Sequence, residues 1–179
     1  MQLISNDYLA HHGILGQKWG VRRYQNEDGS LTTAGKSRYY KSDGQLTRKG
    51  QKRQAQLDSA KANLSRSIES NANNAADYRK YIDAYRERYT GEGAKERYAK
   101  DMGVDDDEIV KTWSDEEFKS IIESEIRIEK LTAESYENSA KKGKQLLEKY
   151  SNMTLDDIDR MSKAERKEFK SVANGKVRI

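Results

Sequence analysis

The feature that most constrains this chain is a stepping of apolar and small residues by three and four positions along two long stretches. Leu57, Ala60, Leu64, Ile68, Ala75, Tyr78, Ile82, Tyr85 and Tyr89 keep the step through the first, with Asn71 interrupting it. Phe118, Ile122, Ile126, Ala133, Tyr136, Ala140, Leu147 and Tyr150 keep it through the second, with Glu129 and Gly143 as weak points. At 3.6 residues per turn this places one narrow apolar stripe on each of two helices of roughly ten turns. Such helices are marginal alone in water and gain their stability by packing stripe on stripe. A mainly α fold follows, either a helical hairpin within the chain or a coiled coil between copies. Composition agrees: 36% charged and 34% hydrophobic residues, a mean hydropathy of −1.11 and no proline leave too little apolar material for a broad core, since ordinary domains carry about 45–50%.

Five segments are expected. Residues 1–53 form a basic, Gly-rich head, 54–90 the first long helix, 91–113 a connector, 114–150 the second long helix, and 151–179 short helices with a basic tail. Gly91, Gly93 and Gly103 punctuate the connector, around a short helical piece at 94–100 and an acidic run at Asp105, Asp106 and Asp107. Three start signals of the Ser/Thr-x-x-acid kind, Ser114 with Glu117, Thr154 with Asp157 and Ser162 with Glu165, let a hydroxyl and a carboxylate cap backbone N–H groups reciprocally. They predict starts for the second long helix and for two short ones near 155–161 and 163–172.

The head contains an internal repeat. Asp28-Gly29-Ser30-Leu31-Thr32-Thr33-Ala34-Gly35-Lys36-Ser37-Arg38 matches Asp43-Gly44-Gln45-Leu46-Thr47-Arg48-Lys49-Gly50-Gln51-Lys52-Arg53 at an offset of fifteen, and Arg23-Tyr24 and Arg38-Tyr39 keep that offset. Asp-Gly suits a tight turn, so residues 22–25 and 30–32 are expected to pair as a small hairpin. Thr32 or Thr33 then caps a short helix reaching Tyr40. In the second copy the helix is expected to continue into the first long one.

Residues 8–40 resemble a segment near the start of many tailed-phage and prophage head-region proteins. Its form is His-x-Gly-x-x-Gly-x-Lys-Trp-Gly-x-Arg-Arg followed by Asp-Gly-x-Leu-Thr-x-x-Gly. His11, Gly13, Gly16, Lys18, Trp19, Gly20, Arg22, Arg23, Asp28, Gly29, Leu31, Thr32 and Gly35 fall on this pattern; Gln17 stands where Met is common and Thr33 where Pro is often found. The resemblance implies a virion-associated protein with a docking or packaging element at its head, located in the virion and in the bacterial cytoplasm during infection. It implies no catalytic activity. In physical terms Trp19, with Ile14 and Leu15 before it and Arg22 and Arg23 after it, has the composition of a binding hot spot. The competing reading makes Trp19, Val21, Tyr24 and Leu31 the small core of the hairpin unit.

Net charge changes sign along the chain: +6 over residues 1–53, +2 over 54–100 and −4 over 101–179. The basic front can meet nucleic acid, acidic virion proteins or the acidic back of a neighbouring copy. Arg38, Lys41, Arg48, Lys49, Lys52 and Arg53, interleaved with Tyr39 and Tyr40, are the candidate nucleic-acid contacts, cations for phosphate and rings for stacking. No enzyme signature survives: there is no cysteine, His11 and His12 are the only histidines, and Gly35-Lys36-Ser37 lacks the upstream glycine of a phosphate loop. Neither a cofactor nor a metal site is expected, the acidic runs at 105–108 and at Asp156, Asp157 and Asp159 reading as helix N-terminal charges. No run approaches the ~18 apolar residues of a membrane span, and the first sixteen residues lack the order of a secretory signal. The expectation is a phage structural protein that docks through its head and self-associates through its helices, with no membrane partner. A phage effector that binds and inhibits a host protein, and a DNA-binding protein of the packaged genome, are the alternatives.

Overall fold

Two antiparallel long helices dominate the computed structural model, which describes Tyr24, Asn26 and residues 30–103 and 112–177. The described helices are α1 (Thr33–Lys36), α2 (Arg48–Arg88), α3 (Ala94–Met102), α4 (Asp115–Ser151), α5 (Leu155–Arg160) and α6 (Lys163–Ala173). Among the described residues there is no strand, and an isolated antiparallel bridge joins Tyr40 and Leu46. The fold is mainly α, as the stepping dictates. Asn71, Glu129 and Gly143 interrupt the stripe without interrupting either helix.

The start signals act as expected. Ser114 Oγ accepts from the Glu117 N–H and the Glu117 carboxylate accepts from the Ser114 N–H, at 3.2 and 2.8 Å. Thr154 and Asp157 reproduce the same reciprocal cap at α5, and Ser162 and Glu165 do so at α6. The end of the first short helix differs from the expectation. The short helix expected to reach Tyr40 ends at Lys36, with the Ser37 N–H closing on the Thr33 carbonyl. Tyr40 is needed instead as the bridge partner of Leu46, and the extended backbone of a bridge is incompatible with helix.

The chain divides into two compact units. The first combines residues 1–57 with 153–168, and the second combines 58–152 with 169–179. In the second unit α2 and α4 form the hairpin. Tyr78 stacks on Tyr136 at 5.7 Å, and the Arg79 Nε donates to Glu137 Oε1 at 2.7 Å. Towards the end of α2 the hairpin closes over a core of Ile82, Tyr85, Tyr89, Ala94, Tyr98, Phe118, Ile122 and Ile126, with Trp113 and Ile121 packed against it. Its rings meet edge to face, Tyr85 on Tyr89 at 4.6 Å, Tyr89 on Tyr98 at 5.4 Å and Tyr98 on Phe118 at 5.6 Å, an arrangement that adds quadrupole attraction to the burial. Near the start of the unit, Phe169 is fully buried and meets Tyr150 edge to face at 5.5 Å. Asn63 on α2 donates to the carbonyls of Val172 and Ala173, satisfying acceptors that the end of α6 leaves without helical partners.

Candidate docking surface of the repeat unit

The described residues of the first repeat copy make the same hydrogen bonds as their equivalents in the second. In the first, the Asn26 N–H donates to the Ser30 carbonyl at 2.8 Å and the Thr32 N–H to the Tyr24 carbonyl at 3.2 Å; in the second, Lys41 donates to Gln45 at 2.7 Å and Thr47 to Tyr39 at 2.8 Å. The Thr32 hydroxyl then accepts from the Gly35 N–H, and the Thr47 hydroxyl from the Gly50 N–H, each at 3.1 Å. Thr32 is the N-cap of α1, and Thr47 plays the equivalent role just before α2, which settles the choice left between Thr32 and Thr33.

The repeated glycines have a steric cause. A Cβ on Gly35 would lie 2.3 Å from the Tyr24 carbonyl oxygen, and one on Gly50 would lie 2.3 Å from that of Tyr39. In each copy the helical turn sits directly on the carbonyl that accepts the threonine N–H, leaving no room for a side chain. Gly44 is different: it occupies open space at φ 81°, the left-handed conformation of an Asp-Gly turn. The adjoining Asp43 carboxylate accepts from the Gln45 N–H at 2.9 Å.

The second copy is tied down by side chains as well. Tyr39 is 1% exposed, and its hydroxyl donates to Asp159 at 2.5 Å. Burial, reinforced by the Asp159 carboxylate, pushes this phenol up from its ordinary value. Arg53 lies 3.7 Å from the same carboxylate, and Leu31, Leu57, Leu155, Ile158 and Met161 are the other buried hydrophobics among the described residues of the unit. Asp159 was read in the sequence only as a helix N-terminal charge. Its pairing with Tyr39, 120 residues away, has no local signal; the one hint was that a buried phenol requires an acceptor.

The cations cluster around the repeats. Residues 30–57 contain Lys36, Arg38, Lys41, Arg48, Lys49, Lys52 and Arg53 against the single acid Asp43. The Arg38 guanidinium lies over the Tyr24 ring at 4.2 Å, and the Lys49 ammonium 5.8 Å from the centre of the Tyr39 ring. Lys49 is lowered from its ordinary value by desolvation first, then by the positive charge of Arg38, with Arg53 adding to it against Asp159. Arg38 and Lys49 thus stand over the rings of Tyr24 and Tyr39, the equivalent tyrosines of the two copies, and Arg53 beside Asp159. Arg48 and Lys49 also stand in the first turn of α2, which has no acidic residue, so they oppose the helix dipole. Lys36, Lys41, Arg48 and Lys52 are exposed.

Of the remaining predicted residues, Leu31 is buried and Leu46 half-buried. His11, Gly13, Gly16, Lys18, Trp19, Gly20, Arg22, Arg23, Asp28 and Gly29 lie outside the described residues, as do the acids at 105–108. Among the described residues no group of three His, Cys, Asp or Glu side chains is placed to hold a metal ion, and no helix is long and apolar enough to cross a membrane.

Residues 4–26 match the model of a family described only as being of unknown function, DUF7211. No curated protein and no solved structure matches the chain.

Proposed function

We propose that this chain is a non-catalytic, virion-associated structural protein of a tailed phage. Residues 11–23 are its docking element within the particle, and the helical hairpin serves as the body that associates with further copies. The observation that carries the reading is the motif from His11 to Gly35, which resembles the heads of phage head-region proteins. The repeat geometry supports it: the motif runs directly into a hydrogen-bonded unit built twice.

The test is quantitative mass spectrometry of purified particles carrying the wild-type chain or Trp19→Ala. The reading expects the protein in wild-type particles and its loss with the substitution. A protein abundant in infected cells but absent from particles sinks the structural reading and makes a host-protein target the working hypothesis.

A second reading, contact with the packaged genome, is favoured by the seven Lys/Arg of residues 30–57 and the stacking of Arg38 and Lys49 on tyrosine rings. Cations gathered against a single acid, Asp43, over residues 30–57 gain from a phosphate that neutralises them. Retardation of duplex DNA at about 150 mM salt, with a steep salt dependence, supports it. Absence of retardation at low salt removes it.

A further inference from the structure

Among the described residues, the hairpin has one apolar face that no other element covers. Of the five large hydrophobics exposed among the described residues, four belong to the second unit: Tyr81 at 51%, Met102 at 47%, Ile128 at 63% and Leu131 at 59%. Three of them, Tyr81, Met102 and Ile128, rim a depression of about 230 Å³ whose wall carries the carboxylates of Glu125 and Glu129. From there the face continues in two directions, along Asp77 and Tyr78 beside Tyr81 and Glu129, and along Leu131 and Tyr136 beside Ile128. Isolated exposed hydrophobics are ordinary, whereas a contiguous patch of this kind marks a contact surface.

The chemistry of the face is apolar and acidic. Glu125 is held in place because the Tyr98 hydroxyl donates to Oε1 at 2.8 Å and the Tyr85 hydroxyl donates to Oε2. Glu129 is half-buried and borders two of the depressions. Arg127 and Lys130 are on the same helix but line none of these depressions. The occupant that fits is an apolar segment carrying cations and no carboxylate.

The chain itself contains such a segment. Residues 11–23 read His-His-Gly-Ile-Leu-Gly-Gln-Lys-Trp-Gly-Val-Arg-Arg, with Ile14, Leu15, Trp19 and Val21 as apolar groups, three Lys/Arg and no acid. We propose that residues 11–23 of one copy dock into the Tyr81–Met102–Ile128 face of a second copy, joining copies head to tail. Trp19 fills the depression and Lys18, Arg22 and Arg23 face Glu125, Glu129 and Asp77. The pairing sets the +6 front of one copy against the carboxylates of Asp77, Glu125 and Glu129 on the next, and such a heterologous contact builds rings or filaments, not closed symmetric pairs. The inference rests on the reading of residues 11–23 as a docking element, but its test is made in solution and is independent of whether the protein enters particles.

The experiment is sedimentation velocity of the full chain, alone and as variants. Wild type should associate further as its concentration rises and disperse as salt is added. Trp19→Ala removes the plug and Ile128→Glu the socket; each should weaken association at least about tenfold, in keeping with hot-spot losses. Mixed in equal amounts, the two variants should form a discrete heterodimer, because one keeps the socket and the other keeps the plug. Arg23→Glu and Glu129→Lys repeat the test with charges alone, and far-ultraviolet circular dichroism checks that all variants keep the wild-type helix content. A monomeric wild type overturns the proposal, as does association that survives Trp19→Ala or a mixture that stays monomeric.

Discussion

Gly50→Ala is the sharpest perturbation of the repeat unit, because two opposing effects on one residue can be weighed. Gly50 stands in the first turn of α2, where alanine is favoured over glycine by about 1 kcal/mol. Against that, the new Cβ would lie 2.3 Å from the Tyr39 carbonyl oxygen and 3.1 Å from Leu46 Cδ2, so the carbonyl must retreat by about 0.7 Å to reach the 3.0 Å that real Cβ contacts respect. Tyr39 cannot follow easily: its ring is buried, and its hydroxyl is tied to Asp159. The retreat also loosens the Thr47 N–H bond to the same carbonyl, 2.8 Å long. Steric strain of about 1–3 kcal/mol and a weakened hydrogen bond of about 1 kcal/mol outweigh the propensity gain. A net loss of about 1–3 kcal/mol is expected. Hydrogen exchange at the Thr47 amide reads it directly: protection should fall roughly 10- to 100-fold, at ~1.4 kcal/mol per factor of ten, while amides of the hairpin core stay unchanged. Gly44→Ala is the control, costing about 1 kcal/mol for the left-handed backbone alone. Unchanged or increased Thr47 protection in Gly50→Ala would refute the argument, since it would mean that the helix does not press on the carbonyl.

Further predictions concern the second unit. Phe169→Ala empties a fully buried site against Tyr150 and should cost about 3–5 kcal/mol, seen as a lowered thermal midpoint; a loss below about 1 kcal/mol would mean the ring is not buried as described. Ser114→Ala removes the hydroxyl half of the reciprocal cap at α4 and should cost about 1 kcal/mol in denaturant unfolding, with Ser114→Asp restoring most of it. Asp101 is held down to about 2 from 3.8 by hydrogen bonds from the Arg88 guanidinium first and the Tyr89 hydroxyl second. Because the folded value lies below the unfolded one, this stabilisation is complete above about pH 4 and is lost as pH falls through about 2. Carboxyl carbon NMR should therefore find the Asp101 midpoint near 2; a midpoint near 3.8 would dissolve the Arg88–Asp101 pairing.

Local features were legible because they rest on local physics. The stepping of Leu57 to Tyr89 and of Phe118 to Tyr150 fixes where apolar groups fall on a helix whatever surrounds it. The Ser114, Thr154 and Ser162 caps close within four residues. The repeat was visible as matched residues, and its two copies fold alike because Thr32 and Thr47, with Gly35 and Gly50, make the same short-range bonds. The end of α1 at Lys36 was missed because the pairing of Tyr40 with Leu46 overrides the helical tendency of residues 37–40.

The sequence by itself determined that this protein consists of two long, narrow-striped helices behind a twice-repeated basic head, since helix periodicity, capping and turn chemistry act between near neighbours. Only the tertiary structure decided that the stripes meet within one chain, that Tyr39 reaches Asp159, and that Tyr81, Met102, Ile128 and Leu131 are left outside. Those outcomes depend on which residues distant in sequence come to share space, and the three-four stepping sets the direction of each side chain without setting its partner.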